Sequence, residues 1–179
     1  MEPKIVFTGP PGAGKTTAIA ALSDTPPVVT DVANHDVALG KARTTVGMDF
    51  GTVALEGGEQ VRLFGTPGQE RFDFLWPILV KDALGLAILI DNSRPDPLTD
   101  LRLFLKSLAP TLPKMACVIG VGRLEGHARP GIEQFVDVLA AAGWMFPVLP
   151  VDVRKREDVL MMVELMLAQA EAKNLGESQ

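Results

Sequence analysis

Lys4-Ile5-Val6-Phe7-Thr8-Gly9-Pro10-Pro11-Gly12-Ala13-Gly14-Lys15-Thr16 is the stretch whose reading decides how the rest of the chain folds. Three apolar residues, Ile5 to Phe7, lead into Gly9, and after four more residues stands Gly14-Lys15-Thr16. This is the spacing G-x-x-x-x-G-K-S/T behind a strand. Thr17 to Leu22 continue in residues suited to a helix, the context that makes the motif a phosphate-binding loop. Glycines at 9, 12 and 14 allow backbone N–H groups to turn inward around an anion. The helix that follows directs the positive end of its dipole at the same point. Lys15 can reach the β- and γ-phosphates of a nucleoside triphosphate, and the Thr16 hydroxyl can ligate Mg²⁺. Gly9, Pro11, Gly12, Ala13, Gly14, Lys15, Thr16 and Thr17 are therefore the candidate nucleotide-binding residues of this loop.

Outward from the loop, apolar runs of strand length alternate with helical patterns, which argues for an α/β fold of the P-loop NTPase class. Strands are expected at Lys4–Thr8, Met48–Leu55, Gln60–Phe64, Leu84–Ile90, Met115–Val121 and Pro147–Val151. Helices are expected at Lys15–Ser23, Leu98–Leu108, Gly131–Ala142 and Arg154–Lys173. Gly57-Gly58 reads as a hairpin turn, which sets one antiparallel strand into an otherwise parallel sheet. The expectation is a six-stranded, mostly parallel sheet with one antiparallel strand and helices on both faces. Pro77 should break or kink any helix begun near it. Asp24 to Thr45 has no clean periodicity and reads as a long loop of the kind that carries function. On the last helix, Val159, Leu160, Val163, Met166, Leu167 and Ala170 face inward. Its methionines read as core filling, with an adaptable partner surface as the alternative.

The 179 residues are 47% hydrophobic, enough for a single domain over 1–174 with a short polar tail at 175–179. A net charge of −5 argues against a nucleic-acid partner. No apolar stretch reaches the ~20 residues that span a bilayer, so no integral membrane contact is expected, although peripheral recruitment stays open. The first strand starts at Lys4 without a leader pattern, and neither Glu2 nor the tail carries a lipidation signal. Cys117, in an apolar run, reads as a buried thiol of a reducing compartment, so a cytoplasmic protein is expected. His35 and His127 have no metal-spaced partner and read as surface residues.

Thr66-Pro67-Gly68-Gln69-Glu70-Arg71-Phe72, together with Gly9–Thr16, Thr45 and the order of elements, resembles the Ras superfamily of small GTPases. Within it the chain looks most like the prokaryotic branch, the gliding-motility polarity GTPases of the MglA type and the conservon GTP-binding proteins. The likeness rests on Thr45-Val46-Gly47-Met48-Asp49-Phe50, on Pro-Gly-Gln at 67–69, and on Ala83-Leu84-Gly85 running into Leu89-Ile90-Asp91. It covers nearly the whole chain. It implies GTP and GDP as ligands, Mg²⁺ as cofactor, and a small roadblock-type (longin-like) regulator as partner. It implies that Thr45 closes over the γ-phosphate with its hydroxyl on Mg²⁺, or Thr44 if the register shifts by one. Gly68 would donate its N–H to the γ-phosphate, and Gln69 would orient the attacking water. Phe72, Phe74 and Trp76 would either expose apolar area to partners or form a packed helix face. Arg43 could supply a charge-neutralising arginine in cis, or be a solvated loop charge.

Two motifs depart from the family. Gly65 stands where most P-loop GTPases carry the metal-holding Asp. Asp49, on the same strand face as Thr45, is expected to substitute from the adjacent strand, completing a metal set of Thr16, Thr45 and Asp49. Where Asn-Lys-x-Asp should read guanine stands Gly122-Arg123-Leu124-Glu125. Glu125 keeps a carboxylate for the base and the Arg123 stem can lie along it, but Gly122 removes the side chain that braces the loop. Val153 and Arg154 occupy the last base-contacting loop, and Asp152 reads as a cap of the final helix. A GTP-hydrolysing switch is the leading expectation, with Gln69, Arg43 and Lys15 as its catalytic set. A nucleotide-bound scaffold that does not hydrolyse is the alternative favoured by Gly65 and Gly122. A P-loop ATPase or kinase is disfavoured, because clustered lid arginines are missing.

Overall fold

A computed structural model describes the chain at residues 2–34 and 44–177, with the side chains of 29–34, 44–46 and 177 left undescribed. Arg43 thus lies outside the described residues, and of Thr44 and Thr45 only the backbone is described. The strands are β1 (Lys4–Thr8), β2 (Val28–Asn34), β3 (Thr44–Ala54), β4 (Gln60–Gly65), β5 (Gly85–Asp91), β6 (Ala116–Gly122) and β7 (Val148–Pro150). The helices are α1 (Lys15–Leu22), α2 (Trp76–Leu79), α3 (Pro97–Leu108), α4 (Ile132–Ala141) and α5 (Arg156–Glu177).

One sheet takes the order β2-β3-β4-β1-β5-β6-β7. β3 pairs antiparallel with both β2 and β4, while the other ladders are parallel, so β3 alone runs against the rest. The α/β fold, its mostly parallel sheet and its one reversed strand are as expected. The count is not, because β2 occupies part of the stretch read as a loop and makes a seventh strand. β2 follows Pro26-Pro27 at the edge of the sheet, where one partner suffices, and its sequence carries no alternation strong enough to announce it.

Alternation along β1 sends Ile5 and Phe7 to one face and Val6 to the other, and each face carries its own core. On the first, α1 and α5 bury Ile19, Leu22, Val159, Met162, Val163 and Met166 against Phe7 and Leu63. On the second, Trp76, Leu101, Phe104 and Phe135 pack on Val6, Ile88 and Ile119. Met162 and Met166 are fully buried, so core filling is their role, although Met161 faces outward. α5 starts two residues later than expected and continues to Glu177. Pro77 sits in the first turn of α2, which follows a 3₁₀ turn at Glu70–Leu75. That placement suits a ring with no N–H to give.

β7 is only three residues long and pairs with Ile119–Val121, so at Cys117 β6 has β5 on one side and no strand on the other. The Gln169 amide of α5 fills the gap: its Oε1 accepts from the Cys117 N–H at 3.3 Å and its Nε2 donates to the Cys117 carbonyl at 3.2 Å. Gln169→Leu keeps the packing and strips both backbone groups of these partners. An unsatisfied buried polar group costs about 1–3 kcal/mol, so chemical denaturation should show a loss of that size with an unchanged m-value.

Candidate nucleotide-binding site

β1 lies at the centre of the sheet with β4 and β5 on either side, so its carboxyl end opens into the crevice where open parallel sheets take ligands. Gly9 begins the loop there with φ +143°, and any Cβ on it would collide with the carbonyl oxygen of Leu89 on β5. Only glycine lets β1 turn so close to its neighbour. The loop ends at Gly14 in the left-handed region, and α1 begins at Lys15. Gly12 to Thr17 line a cavity of about 740 Å³, together with Asp91, Arg123, Glu125, Val153 and Arg154. Gly9 and Pro11 complete the loop beside it, and Val153 packs directly over Gly14.

The Lys15 ammonium is held inside the loop, donating to the carbonyls of Gly9 at 2.7 Å and Pro10 at 2.9 Å. Burial pushes its pKa down to about 8, against the pull of the Asp49 carboxylate. Gly68 closes on the same point: a Cβ there would lie 2.6 Å from Lys15 Nζ and 2.7 Å from both the Gly9 oxygen and the Pro11 nitrogen. The segment carrying Gly68 is anchored on both sides. Thr8 and Thr66 share a buried hydroxyl hydrogen bond of 2.7 Å, and Trp76 donates its indole N–H to the Pro67 carbonyl at 2.7 Å while stacking on Phe104. Gln69 follows as an exposed residue at the start of the 3₁₀ turn. Of the three aromatics, Phe72 and Trp76 are packed, and Phe74 stands out, 52% exposed.

Asp49 on β3 lies opposite Gly65 on β4, and its carboxylate accepts a 2.5 Å hydrogen bond from the Thr16 hydroxyl. A Cβ at residue 65 would come within 3.2 Å of that carboxylate and 3.1 Å of Ile19, so the missing side chain at 65 makes the room that Asp49 uses. A hydroxyl and a carboxylate are hard oxygen donors, and Mg²⁺ in phosphate sites commonly takes one or two carboxylates plus phosphate oxygens. The pair fits that ion. Among the described residues no group of three His, Cys, Asp or Glu side chains could hold a metal.

At the other end of the cavity a second carboxylate also lies across a ladder from a glycine. Asp91 on β5 lies opposite Gly122 on β6 and pairs with the Arg123 guanidinium, whose second nitrogen donates to the Gly12 carbonyl at 3.3 Å. Burial pushes the Asp91 carboxyl up, but hydrogen bonds from Ser93 and Arg123 outweigh it and hold the group below the usual carboxylate range. Asn92 donates to the carbonyls of His127 at 2.5 Å and Pro130 at 3.0 Å, tying down the rest of the loop. The brace expected to be lost with Gly122 is therefore supplied by Asp91 and Asn92. Both escaped the reading of candidate site residues, although they end a strand buried on both faces at the ligand edge of the sheet. Glu125 lines the cavity and acts electrostatically on Arg154. Asp152 does not cap α5. Its carboxylate takes the Arg154 side chain and backbone N–H, and these bonds hold its pKa down to about 2.

Fold and site define the class: a P-loop NTPase domain with helices on both faces of a mostly parallel sheet. Comparison with known proteins narrows it one step. Over 108 residues the chain is 30% identical to the Ras-related protein Rab-18-B of Danio rerio, covering 59% of this chain and 47% of that protein. Over 109 residues it is 27% identical to intraflagellar transport protein 22 of Chlamydomonas reinhardtii, with 59% and 53% covered. An uncharacterized protein of Methanocaldococcus jannaschii is 28% identical over 96 residues, 52% of this chain and 53% of that protein. The chain spans about half the length of the curated relatives it matches. No family model matches the chain. These similarities support the Ras-like GTPase superfamily. No described helix is long and apolar enough to cross a membrane.

The depressed value of Lys15 sets a pH dependence. Its burial destabilises the free fold fully below pH 8, an effect relieved as pH rises toward the ordinary value of 10.5. Phosphate binding has the opposite sign, since it needs the ammonium charged. Nucleotide affinity should therefore fall roughly tenfold per pH unit above about 8, measured by equilibrium titration between neutral pH and the alkaline limit of folding. A flat profile would remove Lys15 from the phosphate contact.

Proposed function

We propose that the chain is a nucleotide-dependent switch that binds GTP and GDP with Mg²⁺ and hydrolyses GTP slowly. The observation that carries this reading is the Thr16–Asp49 pair, set across the β3–β4 ladder beside Lys15, with Gly68 over the loop. Gly9 to Thr17 cradle the phosphates, and the Lys15 ammonium turns from the loop carbonyls to the β- and γ-phosphates. The Thr16 hydroxyl, Asp49 and Thr45 would hold Mg²⁺, whose chemistry there would be to neutralise charge on the phosphate oxygens. Gly68 presents its N–H to the γ-phosphate, Gln69 orients the attacking water, and Arg43 is the arginine available in cis. Arg123, pinned between Asp91 and Gly12, lies beside the base, and Glu125 accepts the guanine N1 and N2 hydrogens. Val153 and Arg154 close that end of the pocket.

As a switch the chain needs a reader, and the exposed Phe74 and Ile78 just after Gln69 support a partner surface there. The resemblance points to a small roadblock-type (longin-like) regulator and to a role in bacterial polarity, motility or surface signalling, in the cytoplasm or recruited peripherally to a membrane. The direct test is titration with GDP, GTP and ATP, with and without Mg²⁺, while phosphate release is followed in wild type and Gln69→Ala. Guanine-selective binding with slow turnover, lost in the variant, is the expected result. Equal affinity for ATP would end the guanine reading, and turnover unchanged by Gln69→Ala would end the catalytic one.

The ladder pair gives a sharper prediction. Asp49→Ala should weaken Mg²⁺-dependent nucleotide affinity about 10- to 100-fold, the range for groups that orient a metal site. The double exchange Asp49→Gly with Gly65→Asp returns a carboxylate to nearly the same place from the other strand and should recover most of the loss. Gly65→Asp alone crowds two carboxylates together and should be worse than wild type. Failure of the double exchange to recover affinity would show that Asp49 does not serve the metal.

A further inference from the structure

At the amino ends of the strands, away from the nucleotide cavity, the sheet carries a second concave surface. Lys4 opens β1, Arg62 lies on β4, Lys81 follows α2, Lys114 precedes β6, and Lys173 belongs to the last turns of α5. These five cations line one cleft of about 650 Å³, which shares no lining residue with the nucleotide cavity. Glu2 and Asp82 are its two carboxylates. In a chain of net charge −5 this is a local inversion of sign.

The cations are held but not neutralised. Lys4 donates to the carbonyls of Leu79 at 2.6 Å and Lys81 at 3.1 Å, and Lys173 to those of Met115 at 2.6 Å and Pro113 at 3.5 Å. An ammonium has three protons, so each retains one for a ligand. Among the described residues the one salt bridge in the cleft is Arg62 with Glu2, at 3.8 Å, and the Arg62 Nε is buried without a hydrogen-bond partner. Phe64 lies between the two innermost charges, 5.3 Å from Lys4 and 6.0 Å from Arg62. Burial lowers the Lys4 pKa, with Asp82 opposing and Arg62 adding to it. An anion in the cleft would relieve that strain on the charge.

We propose that this cleft is a second anion site that takes a phosphate-bearing ligand. Cations arriving from five separate points of the chain around a concave floor suit a tetrahedral phosphate group, which presents oxygens in several directions. A planar carboxylate is better served by a single guanidinium fork. The site is independent of what occupies the phosphate loop.

The probe is inorganic pyrophosphate, added to the ¹⁵N-labelled full chain while amide shifts are followed. Saturable shifts at Lys4, Arg62, Ala83 and Ala116, separate from any at Gly9–Thr16, are expected. Lys81→Glu with Lys114→Glu, both exposed and outside the nucleotide site, should weaken those shifts' apparent affinity at least about tenfold and leave the Gly9–Thr16 response intact. Co-sedimentation with phosphatidylglycerol vesicles distinguishes the source: sedimentation lost in the double variant identifies a lipid headgroup, and pyrophosphate binding without sedimentation identifies a soluble phosphate ester. Shifts confined to Gly9–Thr16 with no sedimentation, or a double variant that binds as wild type, would overturn the proposal.

Discussion

Register across the sheet is the constraint on which this site depends. Asp49 faces Gly65 across the β3–β4 ladder, and Asp91 faces Gly122 across the β5–β6 ladder. At the first ladder the glycine leaves the room that the neighbouring strand's carboxylate uses, and at the second the carboxylate turns to Arg123. Side chains alternate along a strand with period two, so a slip of one residue in either ladder would carry the acid to the opposite face. The Thr16–Asp49 and Arg123–Asp91 contacts would both vanish. The Thr16–Asp49 contact and the bracing of the Arg123 loop therefore rest on backbone pairing more than on local sequence.

The placement of Gly68 likewise rests on packing from outside its own segment. Gly68 rests on the phosphate loop at a distance no side chain tolerates, and its position is set from outside by Thr8–Thr66 and by Trp76 on Pro67. Trp76 is buried and stacked on Phe104, so the core that α3 builds also fixes where Gly68 sits. Energy stored in packing is thereby made available to position a backbone N–H, which is how preorganised sites hold donors without reorganising them.

Much of this was legible in the residue order. The spacing from Gly9 to Thr16 between a strand and a helix has few structural solutions, and β1 and α1 appear where it requires. The apolar run at Leu84–Ile90 had to be a strand covered on both faces, and it is β5. β2 was not legible: Val28–Asn34 pairs because β3 offers an open edge, a fact that belongs to β3. Asp152 looked like a helix cap because caps are local and acidic, yet its oxygens went to Arg154, a closer and charged donor.

Local sequence thus determined the phosphate loop, the alternation of strands with helices and the two-sided core, because turn chemistry and hydrophobic period act over a few neighbouring residues. Tertiary structure alone decided that the Asp49 carboxylate, across the ladder from Gly65, reaches the Thr16 hydroxyl, and that Asp91 and Asn92 brace the loop beyond Gly122. It also decided that five scattered cations meet in one cleft. Each of these joins residues tens of positions apart, and only strand pairing and packing bring such residues within reach of a hydrogen bond.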